Sequence, residues 1–169
     1  MYFAYEESPS QILRNMSSVG INLEKWIKRG LLKIHATRPT ASGLESHLAG
    51  MYTDIQDFQP NVVVVDPVTN LVSAGDLIAV KAMLTRLIDF LKLRHVTALF
   101  TNLVFGVEIQ ETAIGISSLM DTWIVLRDVA HGETDRVRTM SLLKSRGMSH
   151  DTRMHTFTLS GKGIEIHGN

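Results

Sequence analysis

The chain reads as an α/β protein whose mainly parallel sheet passes into an antiparallel meander towards the C-terminus. Three observations carry this reading. Apolar strand-like runs alternate with helical periodicity as far as Phe100. The run Val62-Val63-Val64-Val65 leads straight into Asp66, and consecutive valines suit a strand buried on both faces of a parallel sheet better than a half-exposed one. From Asp121 onward the pattern changes to strand-like segments separated by turn residues, with no helical stretch between them.

Residues 2–5 read as the end of a buried strand. Ser8-Pro9-Ser10-Gln11 then combines a Ser cap, a Pro in the first helical turn and a Gln that completes a capping box. Ile12, Leu13, Met16 and Val19 follow at helical spacing, and Gly20 stops the helix. A short helix is expected from Asn22 to Lys28, with Leu23, Trp26 and Ile27 on one face, and a strand from Leu31 to Ala36. Arg38-Pro39-Thr40 is a loop. Ser42-Gly43-Leu44-Glu45 is a second capping-box pattern, opening a helix with Leu44, Leu48, Met51 and Ile55 on its inner face. The valine strand should lie inside the sheet, flanked by Leu31–Ala36 or Val96–Phe100. Asp76 to Arg94 reads as the longest helix, with Leu77, Val80, Leu84, Leu87, Ile88 and Leu91 inward. Val104 to Leu119 is expected to be a loop or irregular helix. Asp121–Asp128, Thr139–Arg146 and Arg153–Leu159 read as strands, with turns at His131-Gly132 and Gly147 and a short last strand at Gly163–His167.

Composition narrows the function classes. A chain of 169 residues suits one domain, read as residues 1–169 throughout. Seventeen basic residues balance seventeen acidic ones, which argues against a dominant nucleic-acid-binding face. The absence of cysteine excludes disulfides and thiolate metal sites, and it fits a cytoplasmic protein. No apolar run approaches the ~20 residues of a membrane span. No His-Glu-x-x-His pattern marks a zinc site, and the eight methionines read as core fillers.

Ligands of a doubly wound sheet gather at the carboxyl ends of its strands. Three polar groups fall there: Glu6-Glu7 after the first strand, Asp66 after the valine strand, and Thr101-Asn102 after Val96–Phe100. An apolar strand ending in Asp is the arrangement that holds magnesium through water, and a neighbouring carboxylate can deprotonate an attacking water. Each residue also has a plain structural reading. Asp66 before Pro67 can start a turn. Glu6 and Glu7 beside a helix N-terminus are favourable by ~0.3–1 kcal/mol with no further role.

Six segments stand out in order: Phe3-Ala4-Tyr5-Glu6-Glu7-Ser8, Leu31-Leu32-Lys33-Ile34, Ser42-Gly43-Leu44-Glu45-Ser46-His47-Leu48, Val64-Val65-Asp66-Pro67-Val68-Thr69, Asp121-Thr122-Trp123-Ile124-Val125-Leu126-Arg127 and Leu143-Lys144-Ser145-Arg146-Gly147-Met148-Ser149-His150. Their order and spacing resemble those of the KaiC-type domains of the RecA-like ATPase superfamily. The resemblance covers nearly the whole length. It implies a RecA-like P-loop NTPase sheet, incomplete at the N-terminus, with ATP and Mg2+ bound in the complete domain. Glu6 and Glu7 would be its catalytic carboxylates and Asp66 its metal ligand. Lys144 and Arg146 would reach ATP held by the neighbouring subunit of a hexameric ring, with Arg138 on the same basic face. Thr112, Ser117 and Ser118 fall where clock-type members carry autophosphorylated hydroxyls. The alternative for these three is a polar loop with helix-capping hydroxyls.

The sequence departs from the family at one place. It contains no Gly-x-x-x-x-Gly-Lys-[Ser/Thr] loop, so nothing within it cradles a β-phosphate. It therefore reads as a fragment, a remnant gene or a product cut at an internal methionine. The leading expectation is a portion of a ring-forming ATPase or serine/threonine autokinase, with regulatory protein partners of a clock or signalling type. A nucleotide-independent interaction module is the first alternative. A DNA-recombination ATPase of the same superfold is the second, and the balanced charge counts against it.

Overall fold

The computed structural model describes residues 1–104, 115–132 and 135–168. They fall into two compact units. One comprises Met1–Arg14 and Asn22–Ile116, the other Asn15–Ile21 and Ser117–Asn169.

The first unit is built on a four-stranded parallel sheet of order β2-β1-β3-β4, with β1 at Tyr2–Ala4, β2 at Ile34–Ala36, β3 at Val62–Asp66 and β4 at Thr97–Phe100. The valine strand is interior, as expected, between β1 and β4. Its valines are not equivalent. Val63 and Val65 are fully buried, whereas Val62 is 41% exposed and Val64 half-buried. Side chains alternate across a strand, so only one face of β3 meets a dense apolar layer within this unit. On that face Val63 pairs with Ala98, and Val65 with Phe3 and Phe100.

Helix α1 spans Pro9–Ser18, α2 Glu24–Lys28, α3 Leu44–Phe58 and α4 Leu77–Leu93. The first capping box forms as read from the sequence. The Ser8 amide donates to Gln11 Oε1 at 2.8 Å, and the Gln11 amide to Ser8 Oγ at 3.4 Å. The second does not. Ser42 Oγ lies 3.2 Å from His47 Nε2, and Glu45 reaches Arg86 instead of the helix start. The helix starts at Leu44 with Gly43 at its cap position, so Ser42 lies one residue too early to cap it, and the same His47 nitrogen also meets the Pro39 carbonyl at 2.8 Å. The strand expected from Leu31 begins only at Ile34. The amides of Leu31 and Leu32 are used to close α2, both donating to the Trp26 carbonyl.

Leu44, Leu48, Met51 and Ile55 are buried on α3, and Val80, Met83, Leu84, Leu87, Ile88 and Leu91 on α4. Leu77, expected inward, is 45% exposed. It occupies the first turn of α4, beside its cap, where the Ala79 amide donates to Asp76 Oδ1 at 2.8 Å.

The second unit carries an antiparallel sheet of order β5-β6-β7-β8, at Thr122–His131, Asp135–Ser145, His155–Ser160 and Gly163–His167. The meander is as expected, but β5 and β6 form a hairpin longer than the sequence suggested. Val125 and Thr139 are its buried residues. The register shifts between Trp123 and Ile124: Trp123 pairs with Lys144 and Ile124 with Leu142, leaving Leu143 as the extra residue of a bulge.

Within this unit Gly20, at φ +80°, comes so near the β7–β8 turn that an added Cβ would sit 2.2 Å from the Gly161 carbonyl oxygen. Gly30 has a similar φ of +68° but open space around it. Alanine at Gly30 is expected to cost about 1 kcal/mol of backbone strain. Alanine at Gly20 adds a backbone clash and should cost about 3 kcal/mol or more. Urea denaturation of both variants measures the difference, and equal losses would contradict the close approach.

Candidate functional site: carboxylates at the strand ends and a basic turn

In the first unit, three strand ends are tied together by backbone hydrogen bonds. The Tyr5 amide donates to the Asp66 carbonyl at 2.8 Å, the Thr101 amide to the Val65 carbonyl at 3.1 Å, and the Val68 amide to the Thr101 carbonyl at 2.9 Å. Asp66, joined to Pro67 by a cis peptide, thereby sits between the ends of β1 and β4.

Its carboxylate is engaged on both oxygens. The Tyr2 hydroxyl donates to Oδ2 and the Thr101 hydroxyl to Oδ1. Tyr2 pairs with Val64 in the sheet, so it projects on the same face as Asp66 two residues on. Burial pushes the Tyr2 phenol well above its ordinary pKa. The hydrogen bond to Asp66, the charge of Asp66 and the charge of Glu7 push it in the same direction. Tyr2 therefore remains a hydroxyl donor at neutral pH, within electrostatic reach of Glu7 as well as Asp66.

Glu6 and Glu7 line a cleft of about 230 Å³ at the start of α1, together with Ser8, Gln11, Thr37 and Arg38. Small-molecule sites usually enclose about 300–1,000 Å³, so this cleft suits part of a ligand rather than a whole nucleotide. Two polar atoms near the strand ends, Thr69 Oγ1 and Asn102 Oδ1, are buried without a hydrogen-bond partner among the described residues.

In the second unit, Lys144 Nζ donates to the Ser117 carbonyl at 2.6 Å, and Arg146 to the Ser118 carbonyl at 2.7 Å. Arg146 also lies 3.7 Å from the Asp121 carboxylate. The basic pair and the two serines thus meet at one turn. Arg138 does not join them. It pairs with Asp128, and residues paired across a ladder share a face. Trp123 and Asp128 are five apart on β5 and point to opposite faces, so Lys144 and Arg138 do too. The single basic face that the family resemblance implied is divided by the bulge. Arg138 instead lines a separate cleft of about 460 Å³ with Asp128, Arg136, Phe157 and His167. Thr112 lies outside the described residues.

Sequence reasoning singled out Glu6, Glu7, Asp66, Lys144 and Arg146 and noted Thr101 as a strand-end residue. It did not single out Tyr2, whose hydroxyl reaches Asp66, or Arg38, which lines the cleft with Glu6 and Glu7. A parallel register argument from the valine strand was the one signal that could have placed Tyr2 beside Asp66. Among the described residues, no group of three or more His, Asp or Glu side chains converges as a metal cage, and no helix is long and apolar enough to cross a membrane.

A parallel sheet with acidic side chains at its carboxyl edge, followed in the chain by a separate antiparallel sheet, is consistent with an incomplete RecA-like α/β fold. The family model described as "ATPase: KaiC" matches residues 1–169, and the chain belongs to that family. It is 41% identical over 98% of its length to the circadian clock protein KaiC2 of Synechocystis sp., covering 30% of that protein. It is 35% identical over 98% of its length to the circadian clock oscillator protein KaiC of Thermostichus vulcanus, covering 32% of it. The KaiC3 protein of Synechocystis sp. is 34% identical over the same share, with 33% covered. The chain thus spans about a third of the length of these relatives.

Proposed function

We propose that this chain supplies the carboxylate half of an ATP-hydrolysing site within a KaiC-type ring. The observation that carries the reading is the placement of Asp66 between the ends of β1 and β4, with Glu6 and Glu7 at the end of β1. Magnesium keeps several waters and takes one or two carboxylates plus substrate phosphates, so a lone strand-end Asp with hydroxyl neighbours fits it better than a cage would. The chemistry a bound ion would supply is neutralisation of phosphate charge. Asp66 would hold its water shell. Glu6 or Glu7 would accept a proton from the water that attacks the γ-phosphorus, as the bond to ADP breaks. The phosphate-cradling loop is not in this sequence and would be contributed from outside it. Lys144 and Arg146 would act on nucleotide held by a neighbouring subunit of a hexamer, in a cytoplasmic protein with regulatory partners.

The test uses the chain joined to a phosphate-loop segment, at the length of its relatives. Glu6→Gln with Glu7→Gln is expected to lower kcat by about 10²–10⁴ while nucleotide binding persists. A rate within threefold of the unsubstituted protein would remove the catalytic assignment.

A second reading, serine/threonine autophosphorylation, is favoured by one observation: two cations, Lys144 and Arg146, bond the backbone of Ser117 and Ser118. Phosphate added there meets ready charge partners. Mass spectrometry of the ATP-loaded, relative-length protein should find phosphate on Ser117, Ser118 or Thr112. All three unmodified during turnover would leave a plain ATPase.

A further inference from the structure

We propose that His47 is a positioning residue for the cleft that holds Glu6 and Glu7, because its ring fixes the loop after β2 from which Thr37 and Arg38 line that cleft. The proposal rests on the catalytic reading of Glu6 and Glu7 given above.

Two chain segments meet at the cleft, and one buried ring touches both. Glu6 and Glu7 follow Tyr5 at the end of β1, while Thr37 and Arg38 follow β2 and lead into Pro39. Glu6 and Arg38 each lie two residues beyond a paired position, Ala4 and Ala36. The Thr37 amide donates to the Ala4 carbonyl at 3.0 Å. Beyond that bond His47 takes over. It comes from α3 and is only 7% exposed. Its Nε2 lies 2.8 Å from the Pro39 carbonyl, and a carbonyl only accepts, so Nε2 carries the proton. The Ser42 hydroxyl stands 3.2 Å from the same nitrogen. The ring meets Tyr5 edge to face, with centroids 5.6 Å apart at 88°. The imidazole thus touches the residue before Glu6 and the residue after Arg38.

The bond to Pro39 matters because packing alone leaves room. A cavity of about 200 Å³ lies beside the ring, lined by Tyr5, Thr37, Ser42, Ser46 and Met51 among others. The loop itself is a single short turn over Pro39–Ala41, closed by the Ala41 amide on the Arg38 carbonyl at 3.0 Å. The other buried residues of α3 are Leu44, Leu48, Met51 and Ile55, all apolar. A buried imidazole among them is costly unless its N–H is bonded, so the loop position that supplies the Pro39 carbonyl is favoured over others.

The test uses the relative-length protein that includes a phosphate-loop segment. His47→Phe keeps a ring against Tyr5 but loses the N–H. Its kcat for ATP hydrolysis should fall about tenfold or more, because small misplacements around a reacting group are costly in rate. KM for ATP should stay within about twofold, since the phosphates are cradled elsewhere. The amide nitrogen of His47→Gln reaches about as far as Nε2 and should return kcat to within about threefold. The shorter His47→Asn should not. Hydrogen exchange on the 169-residue chain reads the loop directly. The Ala41 amide should exchange about tenfold faster in His47→Phe and His47→Asn than in the unsubstituted chain or His47→Gln.

A kcat within twofold of the unsubstituted protein in His47→Phe would overturn the proposal. So would a loss carried by KM, or a Gln variant no better than the Asn one in rate or exchange. If circular dichroism shows that His47→Phe does not fold, the contrast between Gln and Asn decides alone. Glu6→Gln with Glu7→Gln, measured alongside, separates two failures. No loss of rate there removes the catalytic reading and this proposal with it. A loss there without one in the His47 variants removes only the role of His47.

Discussion

Alanine at Lys144 and Arg146 is expected to lower ATP hydrolysis by assembled rings about 10³-fold or more, the range associated with cations supplied to a phosphoryl-transfer site in trans. The relevant protein again includes a phosphate-loop segment. Nucleotide affinity should change far less, because the cradle that binds the ground state is elsewhere. Both cations now bond backbone carbonyls of the 117–118 turn, so reaching a neighbour's phosphate requires them to exchange those carbonyls for phosphate oxygens. That exchange favours the charged acceptor. Mixing such subunits with Glu6→Gln/Glu7→Gln subunits should recover part of the activity, since each variant then supplies what its neighbour lacks. Mixed rings that form without any recovery would refute action in trans.

The second large effect concerns the 169-residue chain alone. A phosphate loop gives several backbone N–H groups and a lysine to the β- and γ-phosphates, in bonds of ~1.5–3 kcal/mol each. Three such bonds amount to ~4–9 kcal/mol, or at least about a thousandfold in affinity. This sequence has no such loop. The chain by itself is therefore expected to bind ATP only weakly and to release no phosphate above background. Calorimetry and a phosphate-release assay check both halves. Micromolar binding with turnover would mean that another segment of this chain takes the place of the loop.

Much of this fold was legible because its strongest signals are local. The Ser8–Gln11 capping box formed as written, and the inner face of α3 was read correctly from its spacing. The parallel sheet followed from the alternation of strand and helix, and the interior place of β3 from its valines. What was missed depended on partners distant in sequence. Ser42 carries the right residue type for a cap, but the helix starts one residue later, with Gly43 at the cap position. Leu31 belongs to an apolar run, but its amide closes α2. Val62 is as apolar as Val63, and only the arrangement of helices distinguishes them. Among the candidate site residues, Glu6, Glu7 and Asp66 were singled out because strand ends collect polar residues. Tyr2 was not, because its place beside Asp66 depends on register with a strand some sixty positions away, and an aromatic in a strand reads first as packing.

The bulge in β6 has a further consequence. Were β6 regular, Leu143 would pair with Trp123 and Lys144 would turn to the side on which Arg138 lies. The destination of the lysine's charge is thus set by parity, through how residues are counted along the hairpin, rather than by the identity of the lysine. A lineage could keep Lys144, Arg146 and both serines unaltered and still lose their meeting by a neighbouring change that flattens the bulge. Conversely, a lineage that preserves the count can vary the apolar residue at position 143 widely, since its task is to be supernumerary.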